Sequence, residues 1–147
     1  NTSGYDSIET IRLLDGIIDI YMPDIKFLDG ELAQRFCKAG DYPESVREAV
    51  REMQRQVGDL RIDEYGIAKK GLLIRHLVMP SCGDDTKMIM RFIRDEVSQN
   101  AFVNIMAQYH PCHRADEFEE IAVRTSLKEH ADAVEYARGI GLLRAST

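Results

Sequence analysis

The sequence predicts an α/β fold in which parallel strands alternate with flanking helices. Three apolar segments rich in β-branched residues have the character of buried strands, over residues 17–22, 71–81 and 102–111. Helical periodicity lies before, between and after them. Buried strands that alternate with helices favour a parallel sheet with right-handed crossovers.

The helices are marked by their apolar spacing and by their end signals. The first begins near Ile8 and ends at Asp15-Gly16, and a short helical piece covers residues 31–39. The clearest helix, residues 41–59, has Pro43 in its first turn, where a missing N–H costs nothing.

In the second half, residues 61–71 are polar with two glycines and are expected to form a small ribbon outside the core. A helix over residues 86–97 follows the second strand. Residues 112–125 have the character of a loop, and Ser126 with Glu129 forms a capping box that opens the last helix.

Composition narrows the classes of function. The 147 residues suffice for one domain with a hydrophobic core. A net charge of −6 argues against non-specific nucleic-acid binding, which needs a basic surface. No segment approaches the roughly 20 apolar residues of a membrane span. Three widely spaced cysteines, Cys37, Cys82 and Cys112, do not form a disulfide framework, which favours a cytoplasmic protein.

The chain starts at Asn1, in a loop with no element before it. We therefore expect residues 1–147 to be a single domain that forms the carboxyl-terminal part of a longer protein. The alternative is a processed or tag-trimmed terminus.

Polar residues gather where the strands end. Asp24 and Lys26 are two residues apart, so an extended backbone points both to one side. They form either the wall of a ligand pocket or a local ion pair. Arg75 lies inside an apolar strand and needs a partner, either an anionic ligand or an internal acid such as Asp24. Its neighbour His76 faces the helices and is expected to be a core residue.

His110 ends the third predicted strand and is a candidate for anion binding or proton handling. The sequence His-Pro-Cys-His over residues 110–113 does not favour a metal site, because so few closely spaced ligands cannot easily converge without a fourth elsewhere. Neither a P-loop nor a dinucleotide-binding glycine motif occurs.

The segments NTSGYDS, DIYMPDIKF, LLIRHLVMPSCGDD and VNIMAQYHP together resemble a known family. Their order and spacing are similar to the carboxyl-terminal half of radical S-adenosylmethionine enzymes, of the group that resembles the pyruvate formate-lyase activating enzyme. The resemblance covers roughly residues 1–144.

This resemblance implies a partial (β/α) barrel, the carboxyl-terminal half of a TIM-like barrel. It also implies a longer oxidoreductase whose 4Fe–4S cluster cleaves S-adenosylmethionine reductively to a 5′-deoxyadenosyl radical that abstracts hydrogen. By the same resemblance Lys26 and His110 contact S-adenosylmethionine, and Asp24 lies near the cofactor and a bound cation. Arg75 is an inward arginine of the barrel wall, and Asn1 replaces an Asp of the cofactor pocket.

The cluster-binding cysteine motif of the family is absent, so we expect no metal ligands or catalytic residues in this chain, which by itself should be inactive. The implied partner is a glycyl radical enzyme or another protein or peptide substrate, although Asn1 puts a glycyl-peptide substrate in doubt. An open sheet edge predicts self-association.

Two alternatives stay open. One is a non-catalytic ligand-binding or interaction domain derived from a (β/α) barrel. The other is a metal- or phosphate-dependent enzyme that uses Asp24, Lys26 and His110.

Overall fold

A computed structural model describes residues 1–146 as a mixed α/β fold with an open sheet and flanking helices. The strands are β1 (Ile20–Tyr21), β2 (Arg61–Ile62), β3 (Ala68–Leu77), β4 (Phe102–Met106) and β5 (Ala145–Ser146). The helices are α1 (Ile8–Leu13), α2 (Gly30–Leu32), α3 (Tyr42–Val57), α4 (Gly83–Phe92) and α5 (Leu127–Gly139). Helices α2 and α4 each continue as a π-helical turn, over Ala33–Cys37 and Ile93–Val97, and two 3₁₀ turns cover Ala115–Glu117 and Glu119–Ile121.

The parallel strands lie side by side in the order in which they occur along the chain. The path is β1-β3-β4-β5, with every neighbouring pair parallel. At the β1 edge, Thr2 adds one more parallel bridge, to Pro23. The predicted parallel sheet is therefore confirmed, and sequence reasoning missed its two outermost pieces because each is only one or two residues long.

One predicted segment is confirmed and another differs from the structure. The ribbon expected outside the core over residues 61–71 is present, since β2 pairs antiparallel with the start of β3 and residues 61–70 are exposed or half-buried. The third predicted strand, 102–111, ends at Met106. Met106 is in register with Leu77, the last residue of β3, so the chain beyond it has no neighbouring strand to pair with.

The helices cover one face of this sheet. Along β3 and β4 fully buried residues alternate with half-buried ones. The buried set, which includes Ile74 and Ile105, shares one core with the apolar stripe of α3, whose members are Val46, Ala49, Val50, Met53 and Val57. The opposite face, which carries Leu73, Arg75 and Phe102, stays half-exposed. Within residues 1–146 no helix is long and apolar enough to cross a membrane.

Candidate functional site

The carboxyl ends of β1, β3 and β4 surround a cavity of about 420 Å³ on the half-exposed face of the sheet. Two further segments complete its wall: the turn around Phe36 and Cys37, and residues 112–121, which we call the strap. Its volume lies in the range of sites that hold small organic molecules. The strand-end side chains that line it are Asp24, Lys26, Arg75, Leu77, Met79, Met106 and Gln108.

Asp24 is the polar centre of the cavity wall. Its carboxylate accepts a hydrogen bond of 2.7 Å from Arg75 Nε and one of 3.0 Å from Lys26 Nζ. The backbone fixes this arrangement, because Asp24 and Arg75 form a parallel bridge and Lys26 follows Asp24 by two residues. The ion pairs considered from the sequence are thus present, on the wall of a cavity.

These three side chains carry one negative and two positive charges. Lys26 is 41% exposed and itself lines the cavity, so its ammonium group can reach a ligand without leaving Asp24. The excess positive charge favours an anionic group such as a carboxylate at this end of the cavity.

Asn1 contacts Arg75 from outside the cavity. Its side-chain oxygen accepts a hydrogen bond of 2.9 Å from Arg75 Nη2. The neighbouring residue Thr2 pairs with the backbone of Met22 and Asp24, which holds Asn1 beside the strand end. Asn1 therefore positions Arg75, but it is not among the described residues that line the cavity.

Tyr42, at the start of α3, braces the backbone beneath Asp24 and Lys26. Its buried hydroxyl accepts a hydrogen bond of 3.0 Å from Lys26 N and lies 3.0 Å from the carbonyl oxygen of Ser3 and 3.1 Å from that of Asp24. Burial raises the pKa of Tyr42 well above its usual value, so the phenol stays protonated. Sequence reasoning missed this role, because Tyr42 reads only as an apolar residue of a helix.

Replacing Tyr42 by Phe should lower the free energy of unfolding by about 1–2 kcal/mol, because partly buried backbone groups of Ser3, Asp24 and Lys26 lose their partner. Tyr5→Phe is the matched control, since its exposed hydroxyl bonds only the surface residue Asp41. Urea denaturation of both variants measures the difference. Equal losses would show that the Tyr42 hydroxyl is not a brace.

His76 faces away from the cavity, as the alternation along β3 predicted. It is fully buried, with Nδ1 2.8 Å from the carbonyl oxygen of Ile25 and Nε2 3.0 Å from Thr86 Oγ1. The carbonyl can only accept, so Nδ1 donates and Nε2 accepts from the hydroxyl. Burial lowers the pKa of His76 to about 4, and the ring is neutral at pH 7.

His110 lies apart from the other candidate residues. Its side chain is exposed, and it is not among the described residues that line the cavity. Because β4 ends at Met106, residues 107–112 continue outside the sheet, and the residues of this segment and its neighbour that line the cavity include Gln108, Tyr109 and His113.

The cysteines lie in two different environments. Cys37 and Cys112 are exposed and line the cavity, whereas Cys82 is buried and its pKa is raised to about 11 by burial. Within residues 1–146 no group of three or more His, Cys, Asp or Glu side chains is arranged to hold a metal ion.

The strap is held over the cavity by side chains. Glu120 pairs with Arg35 at 2.5 Å, and the Phe118 ring meets the Phe36 ring edge-on with centroids 5.3 Å apart. At its far end the Tyr109 hydroxyl donates a hydrogen bond of 2.8 Å to the carbonyl oxygen of Ile121. These contacts make Phe118 part of the cavity wall, a role that the loop-like sequence of the strap did not indicate.

Comparison with known proteins finds a similar, uncharacterized protein of Methanocaldococcus jannaschii. It is 32% identical over 143 residues, which make up 97% of this chain and 38% of the relative. The chain thus spans well under half the length of the relative that it matches. No family model and no solved structure matches the chain significantly.

Proposed function

We propose that this chain is the carboxyl-terminal half of a radical S-adenosylmethionine enzyme, of the group that resembles the pyruvate formate-lyase activating enzyme. In this role it supplies part of the cofactor pocket and the wall that faces the substrate. The convergence of Asp24, Lys26 and Arg75 on one cavity carries the proposal.

The topology supports a partial (β/α) barrel as the finer description of the fold. Parallel strands that are neighbours in both sequence and space, with helices on one face, form the wall of such a barrel. Doubly wound sheets instead reverse the strand order and place helices on both faces. The half-exposed face that bears Arg75 corresponds to the barrel interior.

The charged end of the cavity suits the methionine part of S-adenosylmethionine. The Lys26 ammonium group would hold the carboxylate, and Asp24 would keep Lys26 and Arg75 in place at the strand ends. When bound and cleaved reductively, S-adenosylmethionine supplies a 5′-deoxyadenosyl radical.

Within residues 1–146 the side chains do not fit a 4Fe–4S cluster. Such a cluster with one open iron needs three thiolates around it. Cys82 is buried away from the cavity that Cys37 and Cys112 line, and its raised pKa opposes the thiolate form. The proposal therefore assigns the cluster to another part of a longer protein.

Titration calorimetry with the isolated chain tests the cofactor pocket. S-adenosylmethionine should bind, and Lys26→Met should weaken binding on the order of tenfold, as expected for the loss of one charge-assisted contact. Lys128→Met is the matched control, because Lys128 is an exposed lysine that pairs with a nearby acid, Asp132, outside the cavity.

Decarboxylated S-adenosylmethionine is the control ligand, because it differs from S-adenosylmethionine only in lacking the carboxylate. It should bind the unchanged chain more weakly and be insensitive to Lys26→Met, because it lacks the group that Lys26 holds. Equal binding of the two ligands, or equal effects of the two lysine variants, would contradict the assignment of Lys26.

A further inference from the structure

The strap differs from the strand walls of the cavity in how its backbone is held. The strand tips are tied together across the sheet, where, for example, Ile25 N donates a hydrogen bond of 2.9 Å to the carbonyl oxygen of Arg75. In the described part of the chain, the backbone–backbone hydrogen bonds of the strap instead join strap residues to one another. The position of the strap over the cavity therefore depends on side chains.

The strap is a compact unit of its own. Its two 3₁₀ turns follow each other closely along the chain, and Arg114 holds Glu117 by two hydrogen bonds of 2.7 Å. The hydroxyl of Tyr109, just before the strap, donates to the carbonyl oxygen of Ile121 at its end. Compact surface segments whose ends lie close together are Ω-loops, which frequently carry function. The strap has this character.

Two contacts fasten the strap to the turn around Phe36, and we call them the latch. One is the ion pair of Arg35 with Glu120, whose side chains are 51% and 28% exposed. The other is the edge-on packing of the Phe118 ring against the Phe36 ring. An ion pair this exposed contributes little to stability, and Phe118 itself is only half-buried. The latch can therefore open without unfolding the sheet.

His113 provides a hinge at the start of the strap. Its φ is +55°, in the left-handed region, which is uncommon for a residue that has a side chain. Such backbone conformations persist where the surroundings hold them, and they cluster at ligand clamps and switch regions. Opening of the latch releases this constraint, and a change of φ at His113 alone swings the rest of the strap.

The side chains of the strap are divided between the cavity and solvent. Phe118 and Ile121 line the cavity, whereas Asp116 and Glu119 are exposed and are not among the described lining residues. Sites for small molecules commonly bury most of the surface of their ligand, so a wall must give way for the ligand to enter. The strap can do so while the backbone hydrogen bonds of the sheet stay intact.

We propose that the strap is a lid, which opens at the latch to admit a ligand to the cavity and then closes over it. A ligand that contacts the closed strap favours the closed state by its higher affinity for that state. That the ligand is S-adenosylmethionine rests on the proposed function. The opening of the strap does not, because it follows from the attachment of the strap in the chain itself.

A tryptophan reporter tests the opening without any ligand, because the chain contains no other Trp. Phe118→Trp and, separately, Phe36→Trp place the reporter on either side of the latch. In both backgrounds Glu120→Gln should raise the acrylamide quenching constant about twofold, because it weakens the latch.

Two controls locate this effect. Asp132→Asn breaks the exposed ion pair of Lys128 on α5 and should leave quenching of both reporters unchanged. Phe102→Trp places a reporter at the start of β4, away from the strap, and it should not respond to Glu120→Gln. Equal effects of Glu120→Gln and Asp132→Asn would overturn the lid.

S-adenosylmethionine provides the second arm of the test, at a concentration that calorimetry shows to be saturating. It should lower quenching of the latch reporters at least twofold and abolish the effect of Glu120→Gln. If it binds and Glu120→Gln keeps its full effect, the strap does not close over the ligand and the inference is wrong. If it does not bind while Glu120→Gln still raises quenching at the latch reporters alone, the proposed cofactor role is wrong and the lid stands.

Discussion

Gly4→Ala should lower the free energy of unfolding by roughly 3 kcal/mol. Gly4 has φ +77°, and a Cβ atom added there would lie 2.5 Å from the carbonyl oxygen of Asp24 and 2.7 Å from Val46. A positive φ costs an L-residue about 1 kcal/mol or more, and the overpacking adds a comparable or larger amount. The clash would also push the amino-terminal segment, with Asn1, away from Arg75.

Gly16→Ala isolates the contribution of the contact. Gly16 has the same φ of +77°, but nothing lies within 4 Å of the added Cβ. Gly16→Ala should therefore lower the free energy of unfolding by only about 1 kcal/mol. Urea denaturation of the two variants measures the difference directly. Equal losses would mean that residues 1–4 do not pack against Asp24 as described.

The second large effect is a dependence of stability on pH that comes from His76. In the unfolded chain its pKa is about 6.5, whereas burial lowers the pKa to about 4 in the folded protein. Between these values the unfolded chain binds a proton that the folded protein does not, so acidification favours unfolding. The free energy of unfolding should fall by about 3 kcal/mol as the pH drops from about 6.5 to about 4.

His76→Gln should remove most of this slope, because Gln cannot take up a proton in this range. The free energy of unfolding of this variant should be lower at pH 7, but it should change less between pH 4 and pH 6.5. His110→Gln, at an exposed position, is the control and should keep the full slope. Denaturation curves at a series of pH values test this, and an unchanged slope in His76→Gln would contradict the burial of a neutral His76.

Much of the site could be predicted because it depends on local spacing. Asp24 and Lys26 are two residues apart on an extended segment, and Arg75 is a charge inside an apolar strand. Alternation of side chains then places His76 on the helix face and Arg75 on the other. The sequence left two partners open for Arg75, an anionic ligand or an internal acid such as Asp24, because a charge inside an apolar strand needs a partner; the structure pairs it with Asp24.

The parts that could not be predicted depend on contacts between distant segments. The length of β4 is set by where β3 ends, which no local pattern around His110 reveals. The strap reads as a polar loop, and only its contacts with Arg35 and Phe36 make it a wall of the cavity. The brace at Tyr42 likewise depends on the meeting of α3 with residues 3 and 24.

Formation of 5′-deoxyadenosine tests the central claim most directly. The longer protein that we propose to contain this chain, with its cluster reconstituted, is incubated with S-adenosylmethionine and dithionite. The account predicts that 5′-deoxyadenosine forms and that Lys26→Met reduces its formation at limiting S-adenosylmethionine, whereas Lys128→Met does not. A protein with a complete cluster that forms no 5′-deoxyadenosine, or forms it equally well with Lys26→Met, would contradict the account.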